Sequence, residues 1–132
     1  MIELGLVQSI QSDSTVAALA PVGGFFAQLP ENQALPAWVY NTISESVDYL
    51  LAGPDSLVER RVQIDCYGTT AAEAIALAAA IDRLLTGWRG TLPDPDATRV
   101  AGLFRSNLID FFDQSARTFR RLLEYSVWFY QA

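Results

Sequence analysis

The chain contains no histidine and no lysine, and only one cysteine among its 132 residues. Without histidine it lacks the commonest general base, the commonest metal ligand and the side chain that titrates near neutral pH. Ser-His-Asp and Cys-His arrangements are therefore impossible. A single cysteine allows no internal disulfide, and with no histidine it allows no zinc site. Cys66 lies inside a strand pattern and reads as a buried, inert thiol. With no lysine, Gly23-Gly24 has no Lys-Ser/Thr to complete a phosphate loop and reads as a turn. No apolar run approaches the roughly 20 residues that cross a bilayer. Met1-Ile2-Glu3 opens without a basic region, so no secretory signal is expected.

What remains is acidic and half apolar. The net charge is -6, all nine cations are arginines, and 51% of residues are hydrophobic. An acidic chain is a poor candidate for binding nucleic acid through phosphates. Its guanidinium groups are planar forks that pair bidentately with carboxylates, which suits protein–protein contacts. The length and composition predict a single domain over 1–132 with a real core.

Leu4, Val7 and Ile10 predict a helix over about 2–11, and Ser12-Asp13-Ser14 offers caps for a second over about 14–19. Phe25 to Leu29 reads as a short strand. Pro36 opens another through Glu45, with Trp38, Tyr40 and Thr42 on one face. Residues 46–56 end in Gly53-Pro54-Asp55 and read as a projecting connection, either an ordinary loop or a docking arm carrying Tyr49, Leu50 and Leu51. Leu57 to Gly68 is a long strand with Val62, Ile64 and Cys66 on one face. Arg61, Gln63, Asp65 and Tyr67 lie on a wetter face.

Thr70-Ala71-Ala72-Glu73 has capping-box spacing. Ala74, Leu77, Ala78, Ile81, Leu84, Leu85 and Trp88 form one stripe, so a helix is expected from about Thr70 to Thr86, with Gly87 past its end. Trp88 to Leu92 has the look of a short strand. Residues 99–113 and 118–130 form an antiparallel hairpin, with a bulge expected near Ser106-Asn107. The expected fold is α+β and two-layered: a mainly antiparallel sheet of 4–5 strands in the order α-β-β-β-α-β-β, packed by the N-terminal and central helices.

Candidate chemistry is thin. Asp94 and Asp96 lack the remaining ligands of a calcium loop and read as a solvated loop. Asp110 and Asp113 read as a solvated rim. No catalytic residue, metal ligand or cofactor site is expected, and the chain is not expected to be an enzyme.

Arg61-Val62-Gln63-Ile64-Asp65-Cys66-Tyr67-Gly68, followed by the Thr- and Glu-started, Ala-rich helix, resembles the strand-to-helix core of tail-completion (tail-terminator) proteins of long-tailed, siphovirus-like bacteriophages. Arg120-Arg121-Leu122-Leu123-Glu124-Tyr125-Ser126-Val127-Trp128-Phe129 resembles their C-terminal strand. The resemblance extends over nearly the whole chain, through strand patterns rather than catalytic signatures. It implies a structural virion protein, assembled in the host cytoplasm, that forms a ring, usually a hexamer, at the head-proximal end of the tail tube. Such a ring ends tube polymerisation and presents the head-joining surface. Its partners would be other copies of itself, the major tail tube protein and head-connector or neck proteins. Genomic DNA would pass through the lumen without sequence-specific binding, and no membrane is involved. The alternatives are another neck or tail protein, such as a head-closure factor or tube-like subunit, or a small ligand-binding module. Physical reasoning places subunit or tail contacts at Tyr49, Leu50, Leu51, Arg60, Arg61, Asp65, Arg120, Arg121 and Glu124. The arginines would pair with acids such as Asp65, Glu124 or Asp48 across subunits, or form a solvated sheet face.

Overall fold

The computed structural model describes residues 2–47 and 57–130. Helix α1 (Ile2–Ser12) buries Ile2, Leu6, Val7 and Ile10, a three-and-four spacing that puts them on one face. Asp13 caps α2 (Ser14–Leu19) by accepting a hydrogen bond from the Val16 amide at 3.1 Å.

Six strands form one sheet: β1 (Gly24–Phe26), β2 (Ala37–Val47), β3 (Leu57–Gly68), β4 (Gly90–Thr91), β5 (Arg99–Asp113) and β6 (Thr118–Tyr130). Their order is β1-β2-β3-β6-β5-β4. β1 runs parallel to β2, and every other pair is antiparallel. Against the expected 4–5 strands the sheet has six among the described residues, and both short edge strands, read over Phe25 to Leu29 and Trp88 to Leu92, have other bounds. β1 ends early because Ala27 takes a φ of 69° and the Gln28 amide turns back to the Phe26 carbonyl at 2.8 Å. The strand therefore lacks the predicted tail to Leu29, and it begins one residue before Phe25, at Gly24. β4 keeps only Gly90 and Thr91 of the short strand read over Trp88 to Leu92.

Helix α3 (Ala71–Leu85) starts at Thr70, whose hydroxyl accepts from the Glu73 amide at 3.2 Å. The Glu73 carboxylate reaches one residue further back than a standard capping box and accepts from the amide and hydroxyl of Thr69, both at 2.9 Å. Gly87 follows the helix at φ 79°, the left-handed position that favours glycine. The buried face of α3 is the predicted stripe, widened by Ala80.

The helices cover the sheet face carrying Trp38, Tyr40, Ile64, Cys66, Leu123 and Tyr125. Register sets Ile64 between Tyr40 and Leu123, so three strands deliver one apolar row. β5 slips register at Val100/Gly102 and at Arg105/Asn107. The second slip is the bulge expected from its broken alternation.

The opposite face is drier in its middle than its residue types imply. Asp65 is only 3% exposed, against the expectation of a wet position. Register places it between Val39 and Leu122, both also buried, and its carboxylate accepts from Gln63 Nε2 at 2.8 Å and Arg120 Nε at 2.9 Å. Asp94 is another correction. It is buried rather than solvated, and it closes the β4–β5 loop by accepting from the Thr98 amide at 2.8 Å and hydroxyl at 2.6 Å.

Candidate assembly surface

Each of the four singled-out arginines has a carboxylate partner within the chain. Arg60 donates to Glu3 of α1 at 2.6 Å and to Glu45 of β2 through Nε at 2.9 Å and Nη2 at 2.6 Å. Its guanidinium also lies 5.4 Å from the Phe129 ring centre. It thus clamps helix to sheet on the helix-covered face. Arg61 pairs with Glu124 across the β3–β6 ladder at 2.9 Å. Arg120 pairs with Asp65 at 2.9 Å and stacks over Phe111 at 4.8 Å. Arg121 grips Asp110, its direct cross-strand neighbour, through two bonds at 2.7 and 3.0 Å. That hydrogen bond holds the Asp110 carboxyl below the usual range and raises Arg121. Asp113 is separate from Asp110: it caps the β5–β6 turn, accepting from Ser115 and Ala116. Tyr49, Leu50, Leu51 and Asp48 lie outside the described residues.

Sequence reasoning missed two features. The first is Asp82 on α3, which accepts from Tyr125, Thr86 and Arg105 at 2.8, 2.7 and 3.1 Å. Only its four-residue spacing to Thr86 was visible in the sequence. The second is an apolar surplus on the β5–β6 hairpin. Phe104, Ile109, Phe111 and Phe112 are 55, 39, 45 and 50% exposed. Phe112 rests on Phe119 with ring centres 4.5 Å apart. The broken alternation of β5 was the available signal: it puts large apolar side chains on both faces of a strand whose far half no helix covers.

Cys66 is fully buried, and burial, with the Asp65 charge beside it, pushes its thiol far above the ordinary value. Among the described residues no cluster of His, Cys, Asp and Glu could hold a metal ion. A cleft of about 980 Å³ opens between segment 29–35 and the hairpin tip, walled by Tyr67, Phe111, Phe112, Arg117 and Arg120. No described helix is long and apolar enough to cross a membrane.

These traits define a class: a two-layer α+β scaffold with ion pairs across its strands and with Phe104, Ile109, Phe111 and Phe112 exposed on one long hairpin. Residues 5–130 match the family described as "Tail completion protein gp17", and the chain belongs to that family of bacteriophage structural proteins. Its fold is similar to a chain in the solved "Virion of native gene transfer agent (GTA) particle", with a TM-score of 0.73 and 20% identity over 98% of this chain and 94% of that one. No curated protein matches the sequence.

Proposed function

We propose that the protein closes into a ring, a hexamer on the family resemblance, at the head-proximal end of a phage-type tail tube. There it stops tube growth and offers the surface to which head-connector or neck proteins join. The observation that carries this reading is the family match across residues 5–130. The virion particle that contains the structurally similar chain supports placing it in a virion.

The exposed hairpin fits the same reading. Phe104, Ile109 and Phe111 share the sheet face away from the helices, and exposed large apolar side chains gathered on one face suit a contact surface. A closing ring needs heterologous, head-to-tail contacts, each burying about 800 Å² per partner. The Arg61–Glu124 and Arg120–Asp65 pairs tie β3 to β6, and the sheet edges that carry no strand among the described residues are available for such contacts. The net charge of -6 would let DNA pass the lumen by like-charge repulsion rather than adhesion.

The test has two parts. Mass photometry and negative-stain imaging of the purified protein, alone and with tail tubes, should show closed rings. Added to polymerising tube protein, it should cap tube length. A strictly monomeric protein that neither binds tubes nor limits their growth would defeat the reading.

A further inference from the structure

Two stretches of sheet edge have no strand beside them among the described residues. On one side, β1 covers only Trp38 to Tyr40 of β2, leaving residues 42–47 open. On the other, β4 covers only Arg99 and Val100 of β5. The Gly87 amide then takes the Leu103 carbonyl at 2.7 Å, leaving residues 105–113 open. That carbonyl fixes the phase of the ladder. N–H and C=O of one residue point the same way, and alternate along an antiparallel strand. Counted past the bulge, Arg105, Leu108, Asp110 and Phe112 aim their backbone groups away from β6, although the Leu108 amide donates to Asn107 Oδ1 at 2.9 Å, so a joining strand would pair with Arg105 and Asp110 first. On β2, the Tyr40 carbonyl accepts from Ala27, so Thr42 and Glu45 aim theirs away from β3.

We propose that the ring is closed by main-chain pairing of the open β2 edge of one copy with the open β5 edge of the next. This rests on the ring reading above and specifies its joint. Strand direction favours it. β2 and β5 are separated by β3 and β6, each antiparallel to its neighbours, so β2 and β5 run oppositely. A second copy placed alongside in the same orientation therefore pairs antiparallel, the stronger mode.

The covered parts favour it too. β1 guards the start of β2 and β4 guards the start of β5, and these starts lie at opposite ends of the sheet. Sliding the neighbour along the strands by about 4–6 residues, roughly 14–20 Å at ~3.4 Å each, clears both guards. Across the strands one repeat spans four spacings, about 19 Å. That offset tilts the strands by roughly 35–45° to the ring axis, the tilt at which closed sheets join. The side chains agree. Ile43, 45% exposed on one edge, faces an edge carrying the exposed Phe104 and Ile109. Glu45 and Arg105 lie on the same, helix-covered face, so the joint sets opposite charges on one side.

Proline tests this directly. Asp110→Pro and Glu45→Pro each remove an outward N–H while leaving the in-chain ladder intact, and Asp110→Ala and Glu45→Ala control for the lost side chains. The expected result is that wild type and both alanine variants form rings, while the proline variants keep their circular dichroism spectrum and stay monomeric. Folded proline variants that still form rings overturn the edge joint and leave the ring reading standing. Wild type that remains monomeric alone and with tail tubes overturns both. If the proline variants do not fold, amide exchange in wild-type rings decides. Arg105 and Asp110 should exchange about tenfold or more slower than free amides, and free-amide rates at both sink the proposal.

Discussion

The Tyr125 hydroxyl donates to Asp82 Oδ1 at 2.8 Å and so ties the middle of β6 to α3 across the core. Burial, and then the bond to the Asp82 carboxylate, push this phenol far above its ordinary value of 10.0. Tyr40 and Tyr67 are also raised, chiefly by burial. A phenol with a raised folded-state pKa is fully stabilising below its unfolded value and loses that contribution as pH climbs above it. Stability should therefore hold through neutrality and fall once pH passes about 10. Tyr125→Phe should lose about 1–2 kcal/mol at neutral pH by taking a donor from Asp82. It should also flatten the alkaline decline. Urea melts at neutral and alkaline pH check both.

Arg60 bridges α1, β2 and the Phe129 ring, and its side chain is 19% exposed. A lysine can meet one carboxylate but cannot fork to two while stacking. Arg60→Lys should cost about 1 kcal/mol, less in high salt because the Glu3 and Glu45 side chains are 36% exposed and screened. Thermal melts at low and molar salt measure this. An unchanged melting temperature at low salt would show that the clamp contributes nothing.

What was legible in the sequence follows element length. β3, β6 and α3 are long and periodic, so their faces could be assigned before any pairing was known. β1 and β4 are only three and two residues long, and their bounds follow the backbone at Ala27 (φ 69°) and Gly90 (φ 145°) more than any pattern. From the sequence the arginines and acids read as partners across subunits; that they pair within one chain was not legible, for another reason. Arg61 and Glu124 lie 63 residues apart, and Arg120 and Asp65 lie 55 apart, so only the β3–β6 register brings them together. The same register explains why Asp65 is buried where its residue type implies a wet position.

Gly68 and Gly87 flank α3 and should respond differently to alanine. A Cβ on Gly68 would lie 2.7 Å from the Ala74 amide nitrogen and 2.8 Å from the Glu73 Cβ. Neither neighbour can move without breaking the helix start, so Gly68→Ala should cost about 1–3 kcal/mol or more. At Gly87 nothing lies within 4 Å, and only its φ of 79° penalises alanine, by about 1 kcal/mol. Comparing the two denaturant midpoints tests whether strand-to-helix contact or backbone conformation governs this junction.

Asp94 gives the acid side its own signature. Burial would raise its carboxyl, but hydrogen bonds from the Thr98 hydroxyl and amide outweigh it and hold it below the ordinary 3.8. A lowered folded-state pKa contributes stability above the unfolded value and loses it as pH falls through the folded one. Asp94→Ala should therefore destabilise the β4–β5 loop at neutral pH and reduce the loss of stability in acid. A variant whose acid unfolding curve parallels wild type would show that Asp94 is not the group being titrated.

Phe104 separates folding from assembly. It is 55% exposed, and its ring lies over Gly102, where a Cβ would come within 2.8 Å of it. Phe104→Ser exposes little new core and should change monomer stability by no more than about 1 kcal/mol. If the β5 edge is buried between copies, the same change removes apolar area from every joint of the ring. Ring population should then drop several-fold at a protein concentration where wild type is assembled, with the urea midpoint nearly unmoved. Mass photometry across a dilution series reads the first quantity and denaturant melts the second. Equal ring populations for the two proteins would place Phe104 outside the contact.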